Sequence, residues 1–266
     1  MTGKNNEDRY AVSQYRLSSS NPTPVHFSVV CDGIGGHRSG EIAAEMAVNV
    51  ITNTVSDSFG DEPLQTMLRA IKLANEAIYS KAQENDNFRG MGATVAMVWV
   101  EGKRLYTTSI GDSRIYLIRG NSIRQVSTDH TWIQEALDNG TITKDQVANH
   151  PNSHVIRRYL GAPVVPQADQ RMNLRKDDTD AQALANQGVE LQDGDSILLC
   201  SDGLTDHVDD KEIAVIVHKH KQDLQTTVDE LVQLACDRGG KDNITLVLVS
   251  LPVARSNIFQ NLFTRR

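Results

Sequence analysis

The sequence predicts an α+β protein, with helices layered over a β core. Three observations lead there. Short runs rich in Val, Ile, Tyr and Thr, separated by turn signals, cluster in mid-chain. Stretches with apolar residues at helical spacing lie on either side of them in sequence. No repeat of solenoid period and no low-complexity segment competes with this pattern, and 39% hydrophobic with 23% charged residues is globular composition.

Taken in order, Val25–Cys31 reads as the first clear strand. A helical pattern occupies Glu41–Val55. A longer one runs over Leu64–Lys81, where Leu64, Met67, Leu68, Ile71, Ala74 and Ile78 recur at i, i+3, i+4, i+7. Ala93–Val100, Leu105–Ile110, Arg114–Arg119 and the strand-like Ser122–Val126 follow, joined by Glu101-Gly102 and Arg119-Gly120-Asn121. Consecutive strands with such tight turns read as a meander. Trp132–Leu174 is mixed, polar and broken by Pro151, Pro163 and Pro166, which predicts an excursion from the core such as a lid or flap. After Asp193-Gly194 comes a strand, Ser196–Cys200. Next are a helix over Leu224–Cys236, stopped by Gly239-Gly240, and a last strand over Ile244–Leu251. Phe259–Arg266 reads as a frayed tail, or as a linker stump of a longer protein.

Composition excludes several classes. Asp and Glu outnumber Lys and Arg 34 to 27, a formal charge of −7, which is wrong for bulk nucleic-acid or anionic-membrane binding. The opening MTGKNNEDRY lacks the apolar core of a secretory signal, and the longest apolar runs are of strand length. A cytoplasmic protein is expected. Three cysteines, Cys31, Cys200 and Cys236, cannot form a disulfide framework and are expected as buried free thiols. No apolar surface stripe announces a dimer, so a monomer is expected.

The chemistry is carried by acids at strand ends. Val29-Val30-Cys31-Asp32-Gly33 and Leu198-Leu199-Cys200-Ser201-Asp202-Gly203 share one shape, an apolar strand running into Asp-Gly. Either alone is also an ordinary turn. The pair, with Asp242 just before the last strand and Glu7-Asp8 near the start, suits a hard divalent cation, which takes carboxylate, carbonyl and water oxygens. Asp112 sits between two strands in Gly111-Asp112-Ser113-Arg114, and Asp129 follows the strand-like Ser122–Val126. The eight histidines show no zinc spacing, and neither a Walker loop nor a G-x-S-x-G elbow is present.

In order, NED (6–8), DGIGGH (32–37), GMGATV (90–95), IGDSRIYLIR (110–119), STDHTW (127–132), LLCSDGLTD (198–206) and GGKDNITLVLV (239–249) make the chain resemble the bacterial metal-dependent type 2C (PPM) Ser/Thr protein phosphatases. The resemblance spans residues 5 to about 250. It implies a central antiparallel β-sandwich flanked by helix pairs in four layers, αββα, with a flap insertion at about 132–174. A single catalytic domain over 1–252 and a tail at 253–266 follow from it. It implies two Mn²⁺ or Mg²⁺ ions, with a third possible site. Asp32 would bridge the two ions, the Gly33 carbonyl would bind one, and Asp202 and Asp242 the other. Asp129 would serve the third ion, and Glu7 and Asp8 would hold a metal or its waters. Asp112 and Arg114 are expected to hold the strand junction rather than take part in catalysis.

The activity implied is hydrolysis of phospho-Ser and phospho-Thr monoesters by a metal-bridging hydroxide, opposing bacterial Ser/Thr kinases. Phosphorylated proteins, a kinase among them, would be the partners. The sequence departs from the family pattern at Gly3, where an Arg contacts the phosphate, leaving Lys4, Arg38 or Arg89 to replace it. It also carries Ile34 where eukaryotic members have His, which leaves His37, a metal-bound water or no group as the general acid. Lys4, His37 and Arg38 are therefore the substrate-binding candidates. The first strand is expected to be short, or the start of the chain trimmed. Two alternatives accompany this reading: a catalytically weak phosphoprotein-binding module, and a dedicated regulator acting on one small phosphoprotein.

Overall fold

A computed structural model of the chain describes residues 5–17, 20–35, 38–58, 62–147, 150–221 and 223–252. Lys4, His37 and the tail 253–266 lie outside the described residues, and of Arg38 only the backbone is described. The strands are β1 (Arg9–Arg16), β2 (Pro24–Cys31), β3 (Gly33–Ile34), β4 (Gly92–Ala93), β5 (Val95–Glu101), β6 (Arg104–Ile110), β7 (Arg114–Arg119), β8 (Ser122–Gln125), β9 (Val189–Glu190), β10 (Ser196–Cys200) and β11 (Leu246–Ser250). The helices are α1 (Arg38–Ser56), α2 (Pro63–Glu84), α3 (Trp132–Asp138), α4 (Asp180–Ala185), α5 (Asp202–Thr205), α6 (Asp210–Lys219) and α7 (Leu224–Asp237).

Two antiparallel sheets stack face to face. One has the order β1-β2-β5-β6-β9, the other β11-β10-β7-β8, and β3 pairs with β4 in a separate ribbon. Strand alternation sorts the side chains into layers. Val30, Ala96 and Val98 of the first sheet meet Ile115, Leu117, Ile197 and Leu199 of the second. On its outer face the first sheet turns Phe27, Val29, Met97 and Trp99 against α1 and α2, which contribute Ala47, Ile51, Met67, Ile71 and Ile78. The second sheet turns Tyr116, Ile118, Leu198 and Cys200 against Ile213, Val217, Leu231 and Ala235 of α6 and α7. The result is the four-layer αββα arrangement. The inner strands are covered on both faces, which is why they read as unbroken apolar runs. Each large side chain buried here contributes roughly 2 kcal/mol.

Several elements differ from the sequence reading. The first strand is not short: β1 pairs with β2 over eight residues, Arg9↔Cys31 to Arg16↔Pro24. The meander does not stay in one sheet. β5 and β6 belong to the first sheet and β7 and β8 to the second, so the chain changes sheets at Gly111–Ser113. Gly111 makes that corner: its φ is +93°, and a Cβ there would lie 2.6 Å from Thr94. Helix α6 was not read because Ile213, Val215, Ile216 and Val217 look strand-like. A capping box from Asp209 and Glu212 starts it. Cys31 and Cys200 are buried, but Cys236 is exposed on α7.

The segment 132–174 divides in two. Ile156 bridges Thr131, Leu160 bridges Ala93 and Asp169 bridges Ser109, and Leu160 and Met172 are fully buried. From about residue 156 the chain therefore runs along the core. The earlier part begins with α3, whose Ile133 and Ala136 are buried, and its Trp132 ring stacks on His150 at 4.7 Å. Among the described residues no helix is long and apolar enough to cross a membrane.

Candidate metal centre

Antiparallel pairing brings the acids together. Asp8 precedes β1 and Asp32 follows β2, and the register Arg9↔Cys31 sets the two side by side. Asp202 follows β10 and Asp242 precedes β11, and Cys200↔Leu246 does the same for them. Cys200 also pairs with Arg114, which brings the sheet-changing corner and Asp112 to the same end of the sandwich.

Hydrogen bonds fix these loops across the sheets. The Ser201 hydroxyl donates to Asp8 Oδ2 at 2.7 Å and accepts from the Thr245 N–H at 3.1 Å. The Glu7 N–H donates to Asn243 Oδ1 at 2.8 Å. Thr94 Oγ1 accepts from the Asp32 N–H at 2.9 Å and shares a hydrogen bond with Ser113 Oγ at 2.7 Å. Gly33 must be glycine, because a Cβ there would lie 2.2 Å from the Gly40 carbonyl oxygen of α1 and 2.8 Å from that of Glu7. This close approach seats the first turns of α1 beside Asp32 and Glu7.

The electrostatics are those of acids forced together. Burial pushes the Asp32 carboxyl well up, and the neighbouring charges of Asp8, Asp202, Asp112 and Asp242 push it further. Asp8 is raised by burial and by Asp242, against hydrogen bonds from Ser201 and Thr245 that favour its charge. Asp202 rises to about 6 through burial and the charges of Asp206 and Asp242. Asp112 rises to about 7 through burial and the charges of Asp202 and Asp129. Asp32, Asp8 and Asp202 thus lie close enough to shift one another.

Carboxylates in mutual contact need protons or cations between them. A second observation favours cations: Asp202 Oδ1 is buried with no hydrogen-bond partner. An orphaned anionic oxygen among hard oxygen donors fits Mn²⁺ or Mg²⁺. Asp8, Asp32, Asp202 and Asp242 thus converge, with Glu7 and Gly33 beside them.

Asp129 is placed differently from the rest. Arg114 donates to both of its oxygens, from Nε at 3.1 and 3.0 Å and from Nη2 at 2.7 Å, and Gln125 donates at 2.7 Å. Its lone pairs are taken up as the counter-ion of a largely buried guanidinium. The acid that feels the charge of Asp202 from this side is Asp112, which the sequence reading places at the strand junction. Its signal was position, an acid at the point where the chain changes sheets. The reading also passed over His154. His154, Asp202 and Asp206 each offer a ligand atom within 4.8 Å of the others, so the end of the 132–155 stretch reaches the mouth of the centre.

Known proteins resemble this chain in sequence and fold. The profile of the family described as Protein phosphatase 2C matches residues 1–244. A serine/threonine phosphatase stp from Listeria welshimeri is 33% identical over 225 residues, covering 83% of this chain and 82% of that protein. The structure of the S. agalactiae serine/threonine phosphatase superposes with a TM-score of 0.79 at 28% identity, over 94% of this chain and 95% of that one. The catalytic domain of serine threonine protein phosphatase PstP, solved in complex with two manganese ions, matches with a TM-score of 0.68 at 30% identity, over 91% and 96% of the two chains. With its sandwich, its acidic strand ends and these matches over nearly its whole length, the chain belongs to the protein phosphatase 2C family.

Proposed function

We propose that this end of the sandwich hydrolyses phospho-Ser and phospho-Thr monoesters in proteins, reversing the work of a Ser/Thr kinase. The observation that carries the reading is the convergence of aspartates from separate strand ends, one of them with an orphaned buried oxygen. Asp8, Asp32, Asp202 and Asp242, with the Gly33 carbonyl and Glu7, would hold two Mn²⁺ or Mg²⁺ ions. Such ions would supply a water of lowered pKa and offset charge on the phosphoryl oxygens. The protein's own part is to hold the ligands rigidly. Ser201 and Thr94 fix the Asp8 and Asp32 loops, and Gly33 lets α1 pack against them.

For a third ion the reading favours Asp112 over Asp129, since Arg114 and Gln125 occupy the Asp129 oxygens. Residues 1–252 act as one catalytic unit in this reading, and the 132–155 stretch covers the centre. Phosphate binding falls to Lys4, Arg38 or Arg89. The Arg89 side chain is exposed and close in sequence to β4, whose Gly92 pairs with Ile34 beside the centre.

Phosphate release from a phosphothreonine peptide tests the proposal. It should require Mn²⁺ or Mg²⁺, stop in EDTA, and be lost in Asp242→Asn. Unchanged turnover in that variant would sink the assignment. Tight peptide binding without release at saturating Mn²⁺ would favour the binding-module alternative, which the Gly3 departure motivates.

A further inference from the structure

Behind the corner that carries Asp112 lies a buried histidine that the reaction as described does not use. His130 is 5% exposed. Its backbone N–H donates to the Gly111 carbonyl at 2.9 Å, and its ring Nδ1 accepts from the Gly111 N–H at 3.0 Å. Both backbone polar groups of the left-handed glycine are thus closed by one residue. Nδ1 is an acceptor here, so the ring proton sits on Nε2, which faces Asp169 Oδ2 at 3.4 Å. Asp169 is fixed in turn. Arg171 donates to it from Nε at 3.0 Å and Nη2 at 2.6 Å, and its backbone pairs with Ser109 in both directions at 3.0 Å. Burial opposes the Asp169 charge, but the hydrogen bonds from His130 and Arg171 outweigh it and keep the carboxyl below the usual range.

The corner is therefore held at several points. Asp169 holds Ser109, His130 holds Gly111, and Thr94 ties Ser113 to the Asp32 loop. Next to His130, Asp129 grips Arg114 on the far side of Asp112. Core packing alone would not need a ring nitrogen aimed at a backbone N–H, since an apolar side chain fills a cavity as well. A backbone N–H at a left-handed residue between two sheets has no strand partner of its own, and leaving it unpaired costs about 1–3 kcal/mol.

We propose that His130 is a positioning residue: through its Nδ1 acceptor, with Asp169 and Arg171 behind its Nε2–H, it sets the Gly111–Asp112 corner so that the Asp112 carboxylate presents to a divalent cation shared with Asp202. The inference rests on the reading of Asp112 given under Proposed function. It is the logic of an outer partner orienting a ligand, applied here to a backbone corner rather than to a side chain. Loss of such partners commonly weakens metal binding by about 10–100-fold.

Two isosteres separate this role from plain core filling. In His130→Asn, Oδ1 takes the place of Nδ1 and still accepts from Gly111, but nothing reaches Asp169. In His130→Gln the amide reaches the place of Nε2, and the acceptor at Gly111 is gone. The probe is Mn²⁺ alone, titrated into the full chain and followed by loss of the free-ion EPR signal, with metal-free melting temperatures measured beside it. His130→Gln and His130→Ala should weaken the weakest-bound Mn²⁺ about tenfold or more, while His130→Asn stays within about threefold of the parent. Equal losses in Asn and Gln, or parent-like binding in Gln, would overturn the proposal. If His130→Ala does not fold, the Asn and Gln pair decides. Asp112→Asn run alongside distinguishes the two levels. Should it leave the titration unchanged, the reading of Asp112 fails and this inference with it. Should it weaken binding while the His130 variants do not, only the inference fails.

Discussion

Asp202→Asn should stabilise the metal-free protein while abolishing its activity. Asp202 is buried beside other acids, its pKa stands at about 6, and its Oδ1 has no partner. In the unfolded chain the carboxyl returns to the ordinary 3.8. Each tenfold in proton affinity is worth about 1.4 kcal/mol, so ionising Asp202 in the fold costs about 3 kcal/mol. The sign follows from proton counting. Between pH 3.8 and about 6 the folded protein holds the proton that the unfolded chain has released, so parent stability falls as pH rises through this window and stays lower above it. Asparagine does not ionise and escapes that loss.

The expected gain at pH 7.5 in EDTA is about 3 kcal/mol, or about 6–12 °C in melting temperature for a chain of this length. At pH 4.5 the gain should shrink to about 1 kcal/mol. Adding Mn²⁺ at a thousand times Kd should reverse the order, because binding to the folded parent then contributes about 4.1 kcal/mol and the variant would lack a ligand. Urea melts with and without EDTA at the two pH values measure all of this. A variant no more stable than the parent at pH 7.5 without metal, or a gain independent of pH, would refute the reasoning.

Two further outcomes are expected. Gly33→Ala places a methyl 2.2 Å from the Gly40 carbonyl oxygen, a backbone atom that cannot swing aside, and should cost about 3 kcal/mol or more in urea melts together with Mn²⁺ affinity. Asn75→Ala removes the α2 side chain whose Oδ1 accepts from the Gly161 and Ala162 N–H groups at 2.8 and 3.1 Å. It should cost about 2–3 kcal/mol by the same assay, with the loop after Leu160 the first to lose amide protection in hydrogen exchange.

The layers were legible because their inner strands are apolar on both faces. Arg114–Arg119 and Ser196–Cys200 were read to the residue, and the Asp-Gly ends of β2 and β10 pointed to a cation site. What the sequence hid is mostly relational. A tight turn and a change of sheet look alike in one dimension, so the break between β6 and β7 was invisible and Asp112 with it. Asp129 and Asp112 are equally acidic in sequence. Only the fold shows that Arg114 takes one and leaves the other within the field of Asp202. Proline breaks suggested that all of 132–174 leaves the core, yet an extended chain tolerates proline along an edge, and Leu160 and Met172 are buried there. β1 alternates half-buried and exposed positions, with Tyr10 and Val12 in the open, so it offered no apolar run to detect.

The bond between Ser201 and Asp8 spans 193 positions of sequence, and that between Asn243 and Glu7 spans 236. During synthesis the amino-terminal half of the centre therefore waits, its carboxylates apart from their partners, until the final strand has emerged. Pairings this distant form late and slowly. A partly made chain holding Asp8, Asp32 and Asp112 has no Asp202 or Asp242 to complete a cation cage. On the proposed ligand set the centre stays incomplete until Asp242 has emerged, and a truncation before that residue should remove function outright rather than by degrees.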